Sequence, residues 1–271
     1  MPSSPLNSSQ PGSTLHLPRI LCLHGGGVTA EVFSLQCRTL IQHLGHKFRF
    51  CFADGPFPST PGPGMIPTFQ HVQTFRRWLR WSPEHPDPGP DAMIEKIDEN
   101  LHQAMDRDDQ QGGTGDWVAL MGFSQGAKVC ASLLLRQQIR TTKLGATMAG
   151  SKFKFAVLLA GRAPLLSLDV EVTDSLALVD ANELTTGAFA NVSGPFMQGD
   201  EHVLCLPTLH VHGMKDPGLA LHRQLLKDYC KPGTTRVVEW DGDHRVPIKT
   251  KDVAVVAAQI LALGKETGVT D

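Results

Sequence analysis

The sequence predicts an α/β fold, with a mostly parallel, doubly wound sheet of about six strands and helices on both faces. Three observations point there. Apolar strand-like runs alternate with amphipathic helix-like runs from Leu17 to the end. The strand-then-helix order repeats along the chain, which is the pattern of a parallel sheet covered on both sides. Two long irregular segments each follow a predicted strand, so both fall at the carboxyl edge of the sheet, where open α/β folds bind ligands.

The elements follow in order. Arg19–Leu23 is an apolar first strand that runs into His24-Gly25-Gly26-Gly27, and Glu31–Leu44 is the helix after it. Phe48–Ala53 is the second strand. Residues 54 to 90 are dense in Pro and Gly and break the rhythm, while carrying Phe75, Trp78, Leu79 and Trp81. Asp91–Arg107 reads as a long amphipathic helix. Trp117–Gly122 is an apolar strand, followed by a sharp turn and the helix Gln125–Gln138. Phe155–Ala160 is the next strand, and residues 161 to 206 lack clear periodicity. Thr208–His212 and Arg236–Glu239 are the last strands, with helices Ala220–Tyr229 and Thr250–Leu263 behind them.

A chain of 271 residues with 41% hydrophobic residues suits one large domain, expected over residues 17–271. Residues 1–16 are rich in Ser and Pro, lack the charged start and apolar core of a signal peptide, and are expected to be a disordered tail. A net charge of −2 without a basic block argues against nucleic acid. Apolar runs fall short of the roughly 20 residues that a membrane helix needs. Cys22, Cys37, Cys51, Cys130, Cys205 and Cys230 show no C-x-x-C spacing, and most fall within predicted elements. Buried free thiols in a reducing, cytoplasmic setting are therefore expected.

The chemistry centres on Met121-Gly122-Phe123-Ser124-Gln125-Gly126-Ala127. Gly122-x-Ser124-x-Gly126 between a strand and a helix is the nucleophile-elbow pattern, in which flanking glycines let strand and helix approach and the serine sits at the tip. The alternative is a tight turn with a capping serine. A serine hydroxyl needs a base, and the base needs an orienting acid. In the α/β-hydrolase arrangement the acid and then the histidine follow the serine, each after a strand. Asp216 follows the strand Thr208–His212 in Gly213-Met214-Lys215-Asp216-Pro217 and is the candidate acid, although Pro217 could also mark a helix start capped by Asp216. His244 is the candidate base, because among twelve histidines it sits in a polar, Gly-containing loop after the last strand. Asp241 and Asp243 are read as loop-shaping neighbours.

A tetrahedral intermediate needs N–H donors aimed at its oxyanion. The candidates are the N–H of Gln125 and that of Gly26, with Gly27 as the fallback. His24 is read as a stabiliser of this loop. A phosphate-loop reading of the triple glycine lacks the G-K-[ST] that should follow. No metal site and no cofactor is expected, since His210 and His212 share one strand face without a completing ligand set. Phe75, Trp78 and Trp81 are expected to line a substrate groove over Ser124, with Trp78 and Trp81 on one helical face.

Together, Leu21-Cys22-Leu23-His24-Gly25, Phe52-Ala53-Asp54-Gly55-Pro56, Arg77-Trp78 with Trp81, Gly122-Phe123-Ser124-Gln125-Gly126-Ala127, His212-Gly213 with Asp216, and His244 with Pro247 resemble the FSH-type serine hydrolases common in fungi. The likeness spans Arg19 to about Leu263. Gly26, where relatives often carry a bulkier residue, and Asp243, where a glycine is usual, depart from the pattern. The resemblance puts the triad on Ser124, Asp216 and His244 and implies esterase or thioesterase activity. It further implies a role beside polyketide synthases, releasing or editing acyl chains held on an acyl carrier protein in secondary metabolism. A stand-alone carboxylesterase or acyl-protein thioesterase, and a non-catalytic binding protein on the same fold, are the competing readings.

Overall fold

Six of the apolar runs form one sheet. In the computed structural model, which describes residues 14–66, 68–169, 171–173, 175–184 and 200–271, these strands are β1 (Arg19–Leu23), β2 (Arg49–Ala53), β5 (Trp117–Phe123), β6 (Phe155–Leu159), β9 (Thr208–Gly213) and β10 (Thr235–Trp240). Their order is β10-β9-β6-β5-β1-β2 and every pairing is parallel. The central strands are buried on both faces, as a parallel sheet requires.

Strand alternation divides the core. Leu21, Leu23, Leu120, Ala156 and Leu158 face one layer, packed by α3 (Pro90–Gln110), α4 (Gln125–Leu144) and α5 (Leu219–Tyr229). Ile20, Cys22, Met121, Val157, Leu209 and Val211 face the other, packed by α1 (Ala30–Gln36), α2 (Arg38–Leu44) and α6 (Thr250–Glu266). This is an α/β-hydrolase fold.

Two expectations need correction here. The single helix predicted over Glu31–Leu44 is two, bent at the buried Cys37. The bend lets Val32 and Phe33 of α1 and Leu40 and Leu44 of α2 each reach the core. Residues 75–81 contain no helix. Phe75–Arg77 is strand β4, paired antiparallel with β3 (Phe57–Ser59), and Arg76 bridges to Val28. A further short parallel pair joins β7 (Leu166–Ser167) to β8 (Val179–Asp180).

The tail expected at residues 1–16 lies outside the described residues up to residue 13. Thr14 is already buried and its Oγ1 accepts from Arg49 Nη1 at 3.1 Å, so packing begins before the predicted boundary. All six cysteines are free thiols, five of them buried. No helix among the described residues is long and apolar enough to cross a membrane.

Candidate active site

Ser124 sits between β5 and α4 at φ 53°, a left-handed conformation that a non-glycine residue adopts rarely. The turn is that tight because Gly122 and Gly126 permit it. A Cβ on Gly126 would collide with Leu23 O, and one on Gly122 with the backbone of Gly126. Ser124 N donates to Leu159 O at 2.9 Å, which fixes the turn to the neighbouring strand.

Three side chains from three strand ends converge. Ser124 Oγ lies 3.0 Å from His244 Nε2, and His244 Nδ1 lies 2.6 Å from Asp216 Oδ2. The direction of donation follows from the acceptor-only carboxylate: Nδ1–H donates to Asp216, leaving the Nε2 lone pair for the serine hydroxyl. Gly218 N–H donates to Asp216 Oδ1 at 2.7 Å. Burial alone raises the Asp216 carboxyl, but the hydrogen bonds from His244 and Gly218 outweigh it and hold the group below the usual carboxylate range. A buried, ionised acid beside the imidazole stabilises the imidazolium that proton transfer creates.

The first-strand loop is built around His24. His24 Nδ1 donates to Gly25 O at 2.7 Å and Nε2 accepts from Gly55 N–H at 2.8 Å, a pattern that requires the neutral ring. Burial pushes its pKa down to about 4, consistent with that tautomer. Asp54 Oδ1 accepts from Ala30 N at 2.8 Å, tying the second-strand loop to the start of α1. Gly27 N–H donates to Arg76 O at 2.9 Å. That N–H, the fallback oxyanion donor, is thus engaged with β4. Gly26 and Gln125 remain, both on the cavity wall beside Ser124.

The chain matches the family described as "Serine hydrolase (FSH1)" over residues 14–256. It belongs to that family. Among curated relatives, "Esterase pigG" of Monascus ruber is 53% identical, with 98% of each chain covered. "Probable esterase tazC" of Aspergillus terreus is 53% identical over 93% of this chain and 94% of its own. "Esterase citA" of Monascus ruber is 52% identical over 94% and 95%. Two solved structures share the fold. One is a point variant of SOBER1 from Arabidopsis thaliana, at 18% identity with 91% and 98% coverage and a TM-score of 0.50. The other is the Bacillus cereus carboxylesterase, at 15% identity with 91% and 89% coverage and a TM-score of 0.50.

In this serine hydrolase a cavity of about 1350 Å³ opens over Ser124 and His244. Its wall is largely apolar and includes Leu79, Trp81, Met65, Phe69, Leu221 and Trp240. Both irregular segments reach it, the first through Gly62, Pro63, Gly64, Met65, Thr68 and Phe69 with Leu79 and Trp81, the second through Arg162, Ala163, Pro164, Val179, Glu183 and Leu184. Residues 185–199 of the second lie outside the described residues. Of the three aromatics expected to line a groove, Trp81 does. Phe75 and Trp78 do not: both are buried, and Trp78 is 0% exposed.

Trp78 has a different place. Its Nε1–H donates to His24 O at 3.0 Å, bracing the loop that carries Gly26. The Gln125 side chain works with it. Oε1 accepts from Trp78 N and Leu79 N at 3.3 Å each, and Nε2 donates to Leu79 O at 3.2 Å. Sequence reasoning missed this clamp, although the adjacent Gln-Gly of the elbow and the Arg77-Trp78 pair were both visible. Asp241 and Asp243 pair with Lys215 at 2.6 Å and Arg245 at 2.9 Å, away from His244.

Asp216, His222 and His244 also have ligand atoms within 4.8 Å of one another, the one such group among the described residues. His244 and Asp216 are already bonded to each other there. His222 is fully buried with Nε2 at 3.6 Å from Asp216 Oδ2.

Proposed function

We propose that this hydrolase cleaves acyl esters or thioesters through a covalent acyl intermediate on Ser124. The carrying observation is the unbroken relay from Ser124 Oγ to His244 to the buried Asp216, at 3.0 Å and 2.6 Å. His244 Nε2 takes the hydroxyl proton as Ser124 Oγ bonds to the acyl carbon. The oxyanion is held by the N–H groups of Gln125 and Gly26. His244 then protonates the departing alcohol or thiol as its bond to carbon breaks. A water molecule, deprotonated by the same histidine, attacks the acyl-enzyme and releases the acid. The curated relatives named as esterases support ester hydrolysis.

For the natural substrate we infer an acyl or polyketide chain delivered as a thioester on an acyl carrier protein. The family likeness suggests it, and the size and apolar lining of the cavity suit a long acyl group. The test compares one acyl group on three carriers: p-nitrophenol, N-acetylcysteamine and an acyl carrier protein. The carrier-bound thioester is expected to give the highest kcat/KM. Equal or lower values for it, with rapid p-nitrophenyl ester turnover, would instead identify a stand-alone carboxylesterase.

A further inference from the structure

One wall of the cavity carries a charge that the reaction steps do not use. Lys128 lies one turn into α4, its N–H bonded to Ser124 O at 3.1 Å, and its side chain reaches the cavity that holds Ser124. The residue is only 7% exposed, and among the described residues no carboxylate pairs with it. Arg162 lines the same cavity. The two chain segments touch where Gly161 packs on Ala127, since a Cβ on Gly161 would lie 3.3 Å from the Ala127 Cβ. The buried Nε of Arg162 has no hydrogen-bond partner. Its nearest acid is Asp216, at 3.7 Å from Nη2 and already engaged by His244 and Gly218.

A buried ammonium and a half-buried guanidinium on one cavity wall are costly unless something negative joins them. The backbone here is also strained. Ala160, two residues before Arg162, is at φ 51°, and Ser124 is the other non-glycine residue with positive φ among the described residues. Of the three carboxylates on the wall, Asp241 and Asp243 are neutralised by Lys215 and Arg245, and Glu183 is exposed. Burial, and then the charge of Arg162, bring the Lys128 ammonium down to about 7, so an arriving anion would restore its proton.

We propose that Lys128 and Arg162 form a subsite for an anionic oxygen group on the acyl chain, a carboxylate or an enolised 1,3-dicarbonyl, so that the hydrolase selects acidic acyl substrates. This rests on the reading of Ser124 as the acylated residue. Arg162 Nη2 is also 3.4 Å from His244 Nδ1, so the subsite adjoins the reacting histidine.

The test measures kcat/KM for mono-p-nitrophenyl glutarate against the neutral p-nitrophenyl pentanoate, in the parent protein and in Lys128→Met and Lys128→Arg. The parent is expected to prefer the anionic ester by roughly tenfold or more, the scale of a hydrogen bond to a charged group. Lys128→Met is expected to lose most of that preference, and Lys128→Arg to keep most of it. No preference in the parent, or the same preference in Lys128→Met, overturns the subsite. Labelling by a fluorophosphonate separates the two readings. Labelled protein that turns over pentanoate without selecting glutarate disproves the subsite alone. Protein that neither labels nor hydrolyses either ester refutes the Ser124 reading, and the subsite with it.

Discussion

Ser124 and Asp216 owe their proposed roles to different physical effects, and each can be probed separately. At Ser124 the backbone is strained and the hydroxyl faces the His244 lone pair. At Asp216 the carboxylate is dry and held by two donors. Asp216→Asn keeps the shape but offers one carbonyl oxygen to two donors, His244 Nδ1–H and Gly218 N–H, so the imidazole tautomer is no longer fixed and kcat/KM on a short ester is expected to fall by about 10³–10⁴-fold. Asp241→Asn and Asp243→Asn remove only exposed ion pairs and are expected to stay within about fivefold of the parent. Steady-state kinetics on the three variants decide; a crippled Asp243→Asn with an active Asp216→Asn reverses the assignment of the acid.

At the scale of elements, the ribbon of β3 and β4 joins fold to site. It presents Trp78 to the core and Trp81 to the cavity. Trp78→Ala is expected to cost about 3–5 kcal/mol in urea unfolding and to lower turnover equally for short and long acyl esters, since it loosens the His24 loop. Trp81→Ala is expected to change chain-length preference with little loss of stability. The opposite pattern in kinetics across an acyl series would return Trp78 to the groove. The six parallel strands were legible because each is a short apolar run bounded by turn residues, and the Ser, Asp and His followed from their positions after strands. The ribbon was not, because Phe57–Ser59 and Phe75–Arg77 are three residues each and lack a periodic signal. The spacing of Trp78 and Trp81 suits a helix as well as the extended path they take. The Gln125 clamp was hidden for another reason: it joins residues 46 and 47 positions apart, and no local pattern encodes that contact.

The whole molecule carries an acid liability in its buried histidines. Burial holds His24 at about 4 and His210 and His222 at about 3, so all three are neutral when folded. Unfolded, each takes up a proton below about pH 6.5. The unfolded chain therefore binds more protons, and stability is lost as pH falls from about 6.5 toward 4, at about 1.4 kcal/mol per pH unit for each histidine. Asp216 and Asp108, whose carboxyls are held low by their hydrogen bonds against burial, contribute losses only in stronger acid. Urea midpoints at pH 7, 6 and 5 are expected to fall steeply, and a flat series contradicts neutral buried histidines. Catalysis on Ser124 passes through an acyl-enzyme in the proposed mechanism. The direct measurement is peptide mapping by mass spectrometry after brief exposure of the parent protein and Ser124→Ala to a p-nitrophenyl acyl ester, quenched in acid. One acyl adduct is expected, on the peptide containing Ser124, with neither adduct nor hydrolysis in Ser124→Ala. An adduct on another residue, or hydrolysis by Ser124→Ala within about tenfold of the parent, contradicts that mechanism.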